Sequence, residues 1–152
     1  MTDDSLEACA ITYAKLCEIE IDLNTPLGHG TDGSVWTSDR RTAVKALSRE
    51  HNYRLEKACY ERFRDAGVRK IEGFSVPQLR GFSDTLRIIE MRIVTAPYIL
   101  DFGKVSIDKA PDYDPERLEE LDREHEERFG PRYWPKVRDL LLVLKYTYHI
   151  TI

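Results

Sequence analysis

Apolar residues recur every three or four positions in two stretches of the first half of the chain, residues 4–17 and 48–66. This spacing places the apolar side chains on one face of a helix, so the pattern predicts a helix in each stretch. Ser48 is the expected N-cap of the second helix, and Gly67 is expected to end it.

Two further helices are predicted in the last third of the chain. Asp114 followed by Pro115 is typical of a helix start, with aspartate as the cap and proline in the first turn, and an acidic helix is expected from there to about residue 128. Gly130-Pro131 interrupts the pattern, and a last amphipathic helix is predicted over residues 134–148.

Strand signals lie between these helices. Residues 34–37 and 42–47 predict one antiparallel hairpin, and residues 76–82 and 86–94 predict a second one with Asp84 in its turn. A run of strands followed by a run of helices favours an α+β fold rather than an alternating parallel sheet.

Composition narrows the class of protein. The chain has 152 residues, of which 41% are hydrophobic and 33% charged, as in a soluble globular domain. Its net charge of −4 argues against a nucleic-acid partner. Three cysteines without zinc-type spacing predict reduced thiols in a cytoplasmic protein. No secretory signal is recognisable, and the apolar run at 140–144 is too short to cross a membrane.

The strongest chemical signal is the pattern G-x-G-x-x-G-x-V formed by Gly28, Gly30, Gly33 and Val35. In a dinucleotide-binding protein such glycines open a helix, whereas here they lead into a predicted strand, so an oxidoreductase is disfavoured. The pattern also lacks the lysine of a Walker A loop. A glycine-rich hairpin that closes over phosphates fits better, because glycine lets backbone N–H groups approach an anion.

A phosphate-binding hairpin needs a cation from the neighbouring strand, and Lys45 occupies that place. A carboxylate on the following helix is then needed to hold the flexible lysine side chain. Glu56 is the preferred candidate for this partner, and Glu61 is its rival.

This order of glycine loop, lysine, helix glutamate and strand resembles the N-terminal lobe of protein kinases. The resemblance covers residues 24–105 well and the later helices loosely. It implies a glycine-rich loop over residues 27–35, a gatekeeper position, a hinge backbone that meets adenine, and an apolar ceiling above the base. The nucleotide-binding residues it implies are Leu27, Gly28, Gly30, Gly33, Val35, Ala43, Lys45, Glu56, Ile89 as gatekeeper, and Glu90 and Met91 at the hinge.

Residues that transfer the phosphoryl group are missing from the pattern. Asp101-Phe102-Gly103 spells the kinase metal-binding motif, but it follows the expected hinge too closely, and we interpret it as structural. The two asparagines, Asn24 and Asn52, both precede the hinge, so no catalytic loop precedes that motif. No catalytic residue and no Mg²⁺ ligand can therefore be assigned. Residues 134–148 resemble the helix that precedes the catalytic loop in divergent bacterial kinase-like proteins, which predicts a chain truncated at about that loop.

The resulting expectation is a kinase-like N-lobe at 24–96, with an antiparallel sheet and an αC-type helix. A helical extension at 1–23 precedes it, and an incomplete helical C-lobe at 97–152 follows. We expect the domain to bind ATP weakly, at roughly millimolar concentration, without transferring phosphate alone. One alternative is a pseudokinase-type module that meets a protein partner, or itself, through an apolar face at 140–144 and 150–152. Another is a fragment of an active kinase.

Overall fold

The computed structural model describes residues 3–94, 106–108 and 111–151. The long elements are α1 (Asp3–Cys17), β2 (Gly33–Thr37), β3 (Thr42–Leu47), α2 (Glu50–Asp65), β6 (Leu79–Ser83), β7 (Ile88–Arg92) and α3 (Pro115–Thr147). The two-residue strands are β1 (Gly28–His29), β4 (Lys70–Ile71), β5 (Phe74–Ser75), β8 (Ser106–Ile107) and β9 (Ile150–Thr151).

The centre of the fold is a five-stranded antiparallel sheet with the order β1-β2-β3-β7-β6. Two small antiparallel pairs, β4 with β5 and β8 with β9, lie outside it. The architecture is α+β, with the sheet followed by the long C-terminal helix, and this confirms the predicted fold class. The second predicted hairpin is shorter than expected, because β6 starts at Leu79 and Val76 instead donates its backbone N–H to the carbonyl of Arg69.

Both faces of the sheet are covered. On one face α1 packs against Trp36, Val44 and Ile88, with Ala10 and Tyr13 among its own buried side chains. The opposite face packs against α2, and the core on this side includes Leu47, Phe63 and Ile89 together with Leu140 and Leu144 from the C-terminal half of α3. Strand β3 is buried on both sides for this reason, since its alternate side chains enter the two cores.

Helix α2 begins at Glu50, one residue later than an N-cap at Ser48 would give. Arg49 occupies the N-cap position and makes no side-chain capping bond. The Ser48 hydroxyl instead donates to the carbonyl of Asp32, 3.3 Å away, so the prediction that Ser48 caps this helix was wrong. The predicted end is confirmed: Gly67 adopts a φ of 67° directly after the C-cap, a conformation that glycine adopts without steric cost.

Helix α3 consists of two segments. Asp114 caps the first by accepting the backbone N–H of Arg117 at 2.8 Å, as predicted. Gly130, with a φ of 78°, breaks the helical conformation between the segments. The second segment enters the core through Leu140 and Leu144.

The packing of α3 buries part of the apolar face that the sequence analysis expected at 140–144 and 150–152. Leu140, Leu144 and Ile150 are each 0% exposed, because they belong to the same core as side chains of α2 and the sheet. These three residues therefore cannot form an exposed docking face. None of the helices in the described ranges has the combination of length and apolarity that a membrane crossing requires.

Candidate functional site

Strand register brings several of the predicted site residues onto one face of the sheet. Lys45 of β3 lies opposite Val35 on β2 and opposite Ile89 on β7, so the three form one row across the sheet. Ala43 and Met91 are paired two positions further along the same strands and share that face, since side chains alternate with period two. Apolar side chains thus flank a single cation on the face toward α2.

The Lys45 ammonium lies between the sheet and α2. Its Nζ donates to both carboxylate oxygens of Glu56, at 2.8 and 2.9 Å. The Glu56 side chain is 1% exposed and that of Lys45 is 14% exposed. Glu61, the rival partner, lies 3.8 Å from Lys57 in a partly exposed pair. The structure therefore brings Glu56, and not Glu61, to the lysine.

A polar cluster holds α2 to the turn between β6 and β7. Asp84 accepts hydrogen bonds of 2.7 Å from the Tyr53 hydroxyl and from the Lys57 ammonium. These two donors lower the pKa of the Asp84 carboxyl, the ammonium contributing most. Burial, followed by the bond to Asp84, raises the pKa of Tyr53, which keeps the phenol a donor. Lys57 also lies 4.1 Å from the centre of the Phe82 ring.

A second contact holds the other end of α2. The Arg62 guanidinium donates to both carboxylate oxygens of Asp108, at 3.0 and 3.2 Å, and to the carbonyl of Tyr148 at 2.8 Å. The rings of Phe63 and Tyr148 meet edge to face with their centroids 5.4 Å apart. Because α2 is held near both ends, Glu56 is positioned against Lys45 by tertiary contacts as well as by the ion pair itself.

The glycine pattern forms a tight hairpin next to this pair. The Gly30 N–H donates to the Gly33 carbonyl at 3.0 Å, which closes the tip between β1 and β2. At Gly33 a Cβ atom would collide with the carbonyl oxygen of Ala46, so the close approach of β2 to β3 requires glycine. At Gly30 a Cβ would meet nothing within 4 Å, so the backbone there is open to an approaching ligand. Leu27, at the start of the hairpin, is 56% exposed.

Polar residues that the sequence analysis did not select for the site fasten this hairpin. Asp32 at the tip accepts the Asn52 side-chain amide at 3.1 Å, and its carbonyl accepts the Ser48 N–H at 3.1 Å. A separate 2.9 Å hydrogen bond joins His29 Nδ1 to the buried Ser34 hydroxyl across the hairpin. In the sequence these residues are an acidic residue in a loop and polar residues at a helix start. Such residues are too common at these places to be selected as site residues.

Two of the predicted residues do not lie where the resemblance implied. Glu90 and Met91 are inside β7, which pairs with β3 on one side and β6 on the other, so their backbone does not form a hinge leaving the sheet. The Glu90 side chain also points to the opposite face, toward α1, where it accepts hydrogen bonds from Tyr13 and Thr42. Met91 stays on the Lys45 side by the alternation of the strand. The assignment of Glu90 and Met91 as hinge residues was therefore wrong.

Asp101-Phe102-Gly103 lies outside the described residues. Within the described ranges, no three histidine, cysteine, aspartate or glutamate side chains are grouped as a metal site would require.

Comparison with known proteins found a partial likeness among solved structures. No protein-family model matches the chain, and no curated protein matches it. Among solved structures, the streptomycin–ATP–APH(2")-IIa ternary complex is similar, with 20% sequence identity and a TM-score of 0.45. The match covers 60% of this chain and 31% of that chain, so it spans about a third of the solved protein.

Proposed function

We propose that this chain binds a nucleoside triphosphate such as ATP on the face of the sheet that carries Lys45. The observation that carries the proposal is the 2.8 Å ion pair between Lys45 and the buried Glu56, next to the glycine hairpin. A lysine held by a fixed carboxylate presents its charge in one place, which is what recognition of phosphate by a flexible side chain requires.

The surrounding residues fit both the phosphates and the base of such a ligand. The open backbone at Gly28 and Gly30 leaves room for phosphate oxygens, because a Cβ at either position would meet at most the Val35 methyl at 3.9 Å. Val35 and Ala43 supply apolar contact for a base on the same face. Leu27, which is largely exposed at the start of the hairpin, supplies a further apolar surface.

Phosphoryl transfer is not part of this proposal. Transfer needs a residue that orients the nucleophile and ligands for the metal ions in addition to a phosphate cradle. After residue 52 the sequence has no asparagine, so the pattern that supplies the general base and the second metal ligand is not found in these 152 residues. The role proposed for Lys45 and the glycine hairpin is to bind and orient phosphates.

A module that recognises a protein partner is the competing proposal, and the structure gives it less support than the sequence did. Leu140, Leu144 and Ile150 are core residues. The large apolar side chains that α3 leaves exposed are Leu118, Tyr133, Leu142 and Tyr146. Scattered exposed apolar residues are ordinary on folded proteins, so these four by themselves do not indicate an interface.

Thermal unfolding in the presence of ATP tests the proposal. At 10 mM ATP and a dissociation constant of about 1 mM, the folded state gains about 1.4 kcal/mol, which raises Tm by about 3–6 °C. Adenosine at the same concentration is expected to give a smaller shift, because it lacks the phosphates that Lys45 would contact.

The matched variant is Lys45→Met combined with Glu56→Gln, which removes both charges of this ion pair. The shift with ATP should disappear in this variant and persist in Arg54→Met, which removes an exposed cation from the same helix. The same ATP shift in the double variant, or no shift in the wild-type protein, would contradict the proposal.

A further inference from the structure

A cavity of about 500 Å³ lies at the other face of the sheet, on the side that α1 covers in part. Strand pairing builds its wall, because Arg92 of β7 lies opposite Thr42 of β3, and Arg80 lies at the bulge where β6 shifts register against β7. The residues that line the cavity are Arg40, Arg41, Thr42, Arg80, Glu90 and Arg92.

The charge of this cavity is opposite to that of the whole protein. Four arginine residues and one glutamate line it, whereas the chain carries a net charge of −4. Guanidinium groups stay charged at any physiological pH, so four arginines around one cavity give a local positive potential that attracts an anion. Within residues 3–94, 106–108 and 111–151, no carboxylate forms an ion pair with Arg41, Arg80 or Arg92.

The one carboxylate in the cavity is already engaged. Glu90 is 5% exposed, and its two oxygens accept hydrogen bonds from the Tyr13 hydroxyl at 2.8 Å and the Thr42 hydroxyl at 2.6 Å. Gly81 makes room for this contact, since a Cβ there would approach the Tyr13 hydroxyl to 2.5 Å. Glu90 balances at most one of the four cations, so the cavity keeps a surplus of positive charge around a fixed floor.

A neighbouring cavity of about 600 Å³ shares Arg80 and Arg92 and adds Arg64, Arg69 and Lys70 to the same surface. Arg80 and Arg92 therefore line both cavities, and an anion in either one would be close to them. This makes the pair the decisive positions for a test.

We propose that the cavity lined by Arg41, Arg80 and Arg92 binds a small phosphorylated anion, at a site separate from the proposed nucleotide site. The planar guanidinium fork matches two oxygens of one phosphate group, and several forks favour a ligand with more than one negative charge. A volume of about 500 Å³ is in the range of small-molecule sites. The acidic net charge of the chain disfavours an extended polyanion such as nucleic acid.

Titration calorimetry with inorganic pyrophosphate in a low-salt buffer tests this site. The experiment uses the Lys45→Met, Glu56→Gln variant as its background, so that the glycine hairpin does not contribute to binding. Adding Arg80→Gln and Arg92→Gln should weaken pyrophosphate binding by at least about tenfold, the effect of losing charged hydrogen bonds to a phosphate. Adding Arg54→Gln, an exposed cation elsewhere, should leave it unchanged.

Arg41→Asn is a second, milder variant that should also weaken binding, because Arg41 has a φ of 59° and asparagine tolerates that backbone conformation. Citrate is compared with pyrophosphate to separate a preference for phosphate from a preference for any trianion, and equal or tighter binding of citrate counts against the phosphate assignment. Undetectable pyrophosphate binding in the background variant, or unchanged binding after loss of Arg80 and Arg92, would overturn the proposal. Because ATP binding is tested at Lys45 and pyrophosphate binding at Arg80 and Arg92, either proposal can fail alone.

Discussion

Replacing Lys45 by methionine is the most informative perturbation of the candidate site. Methionine keeps an unbranched side chain of similar length and removes only the ammonium group. In the folded protein that group donates to both oxygens of Glu56, whose side chain is 1% exposed. The substitution therefore leaves a buried carboxylate without its ammonium partner.

The expected loss follows from this burial. Breaking a buried ion pair by removing one partner costs about 3–5 kcal/mol, because the remaining charge keeps its desolvation penalty and loses its Coulomb gain. For a chain of 152 residues this lowers Tm by an amount on the order of 10 °C. Glu56→Gln should cost less, since the Lys45 side chain, at 14% exposed, is less buried than that of Glu56. The double variant should be more stable than Lys45→Met alone.

Urea unfolding of the four proteins in this double-mutant cycle measures the coupling. Fluorescence of Trp36 and Trp134 reports on it, since both indoles are buried, and an unchanged m-value indicates that only stability has changed. Arg54→Met serves as the control, because its pair with Glu50 is exposed and is expected to contribute less than about 1 kcal/mol.

Two results would refute this reasoning. One is a loss below about 1 kcal/mol for Lys45→Met, which is the behaviour of a solvated surface pair. The other is a double variant as unstable as the sum of the two single variants, which would show that the two side chains do not interact in solution.

Three further predictions concern stability. Gly33→Ala should destabilise the protein by about 1–3 kcal/mol in urea unfolding, because the added Cβ collides with a carbonyl oxygen of β3, whereas Gly30→Ala should be nearly neutral. Tyr13→Phe should cost about 1–3 kcal/mol by the same assay, since one oxygen of the buried Glu90 carboxylate loses its donor. Burial raises the pKa of the Cys59 thiol to about 12, so alkylation at pH 8 should require unfolding. The thiol of the unfolded chain ionises near pH 9, whereas the buried thiol stays protonated to about pH 12. The contribution of the Cys59 thiol to stability is therefore complete below pH 9 and is lost as the pH rises toward 12.

Each of these has a clear contrary result. If Gly33→Ala costs as little stability as Gly30→Ala, the hairpin is not packed against β3. A neutral Tyr13→Phe would show that water replaces the phenol. Alkylation of Cys59 in the folded protein, at a rate comparable to the half-buried Cys9, would show that the thiol is accessible.

Local signals in the sequence were sufficient for most of the elements. Asp114 and Gly67 mark helix ends through their own side-chain and backbone preferences, and these act within a few residues. The cap at Ser48 failed because its hydroxyl found a partner in the distant glycine hairpin, at Asp32, that no local rule includes.

The pairing of Lys45 with Glu56 could be predicted, because the helix that follows the lysine strand offers only a few acidic residues as partners. The position of Glu90 could not. A strand signal predicts that neighbouring residues face opposite sides, but it does not specify which side is which or where the strand ends. Pairing of β7 with both β3 and β6 decided this, and it placed Glu90 under α1 rather than at a hinge.

The sequence by itself therefore determined the order and type of the elements, the α+β class, and the glycine hairpin next to a lysine strand, because periodicity, capping and turn preferences act over short distances. Only the tertiary structure decided which side chains meet across strands. It buried Leu140 and Leu144, and it gathered Arg41, Arg80 and Arg92 around one cavity. These arrangements depend on strand register and helix docking, which bring together residues far apart in the chain and leave no local trace in the sequence.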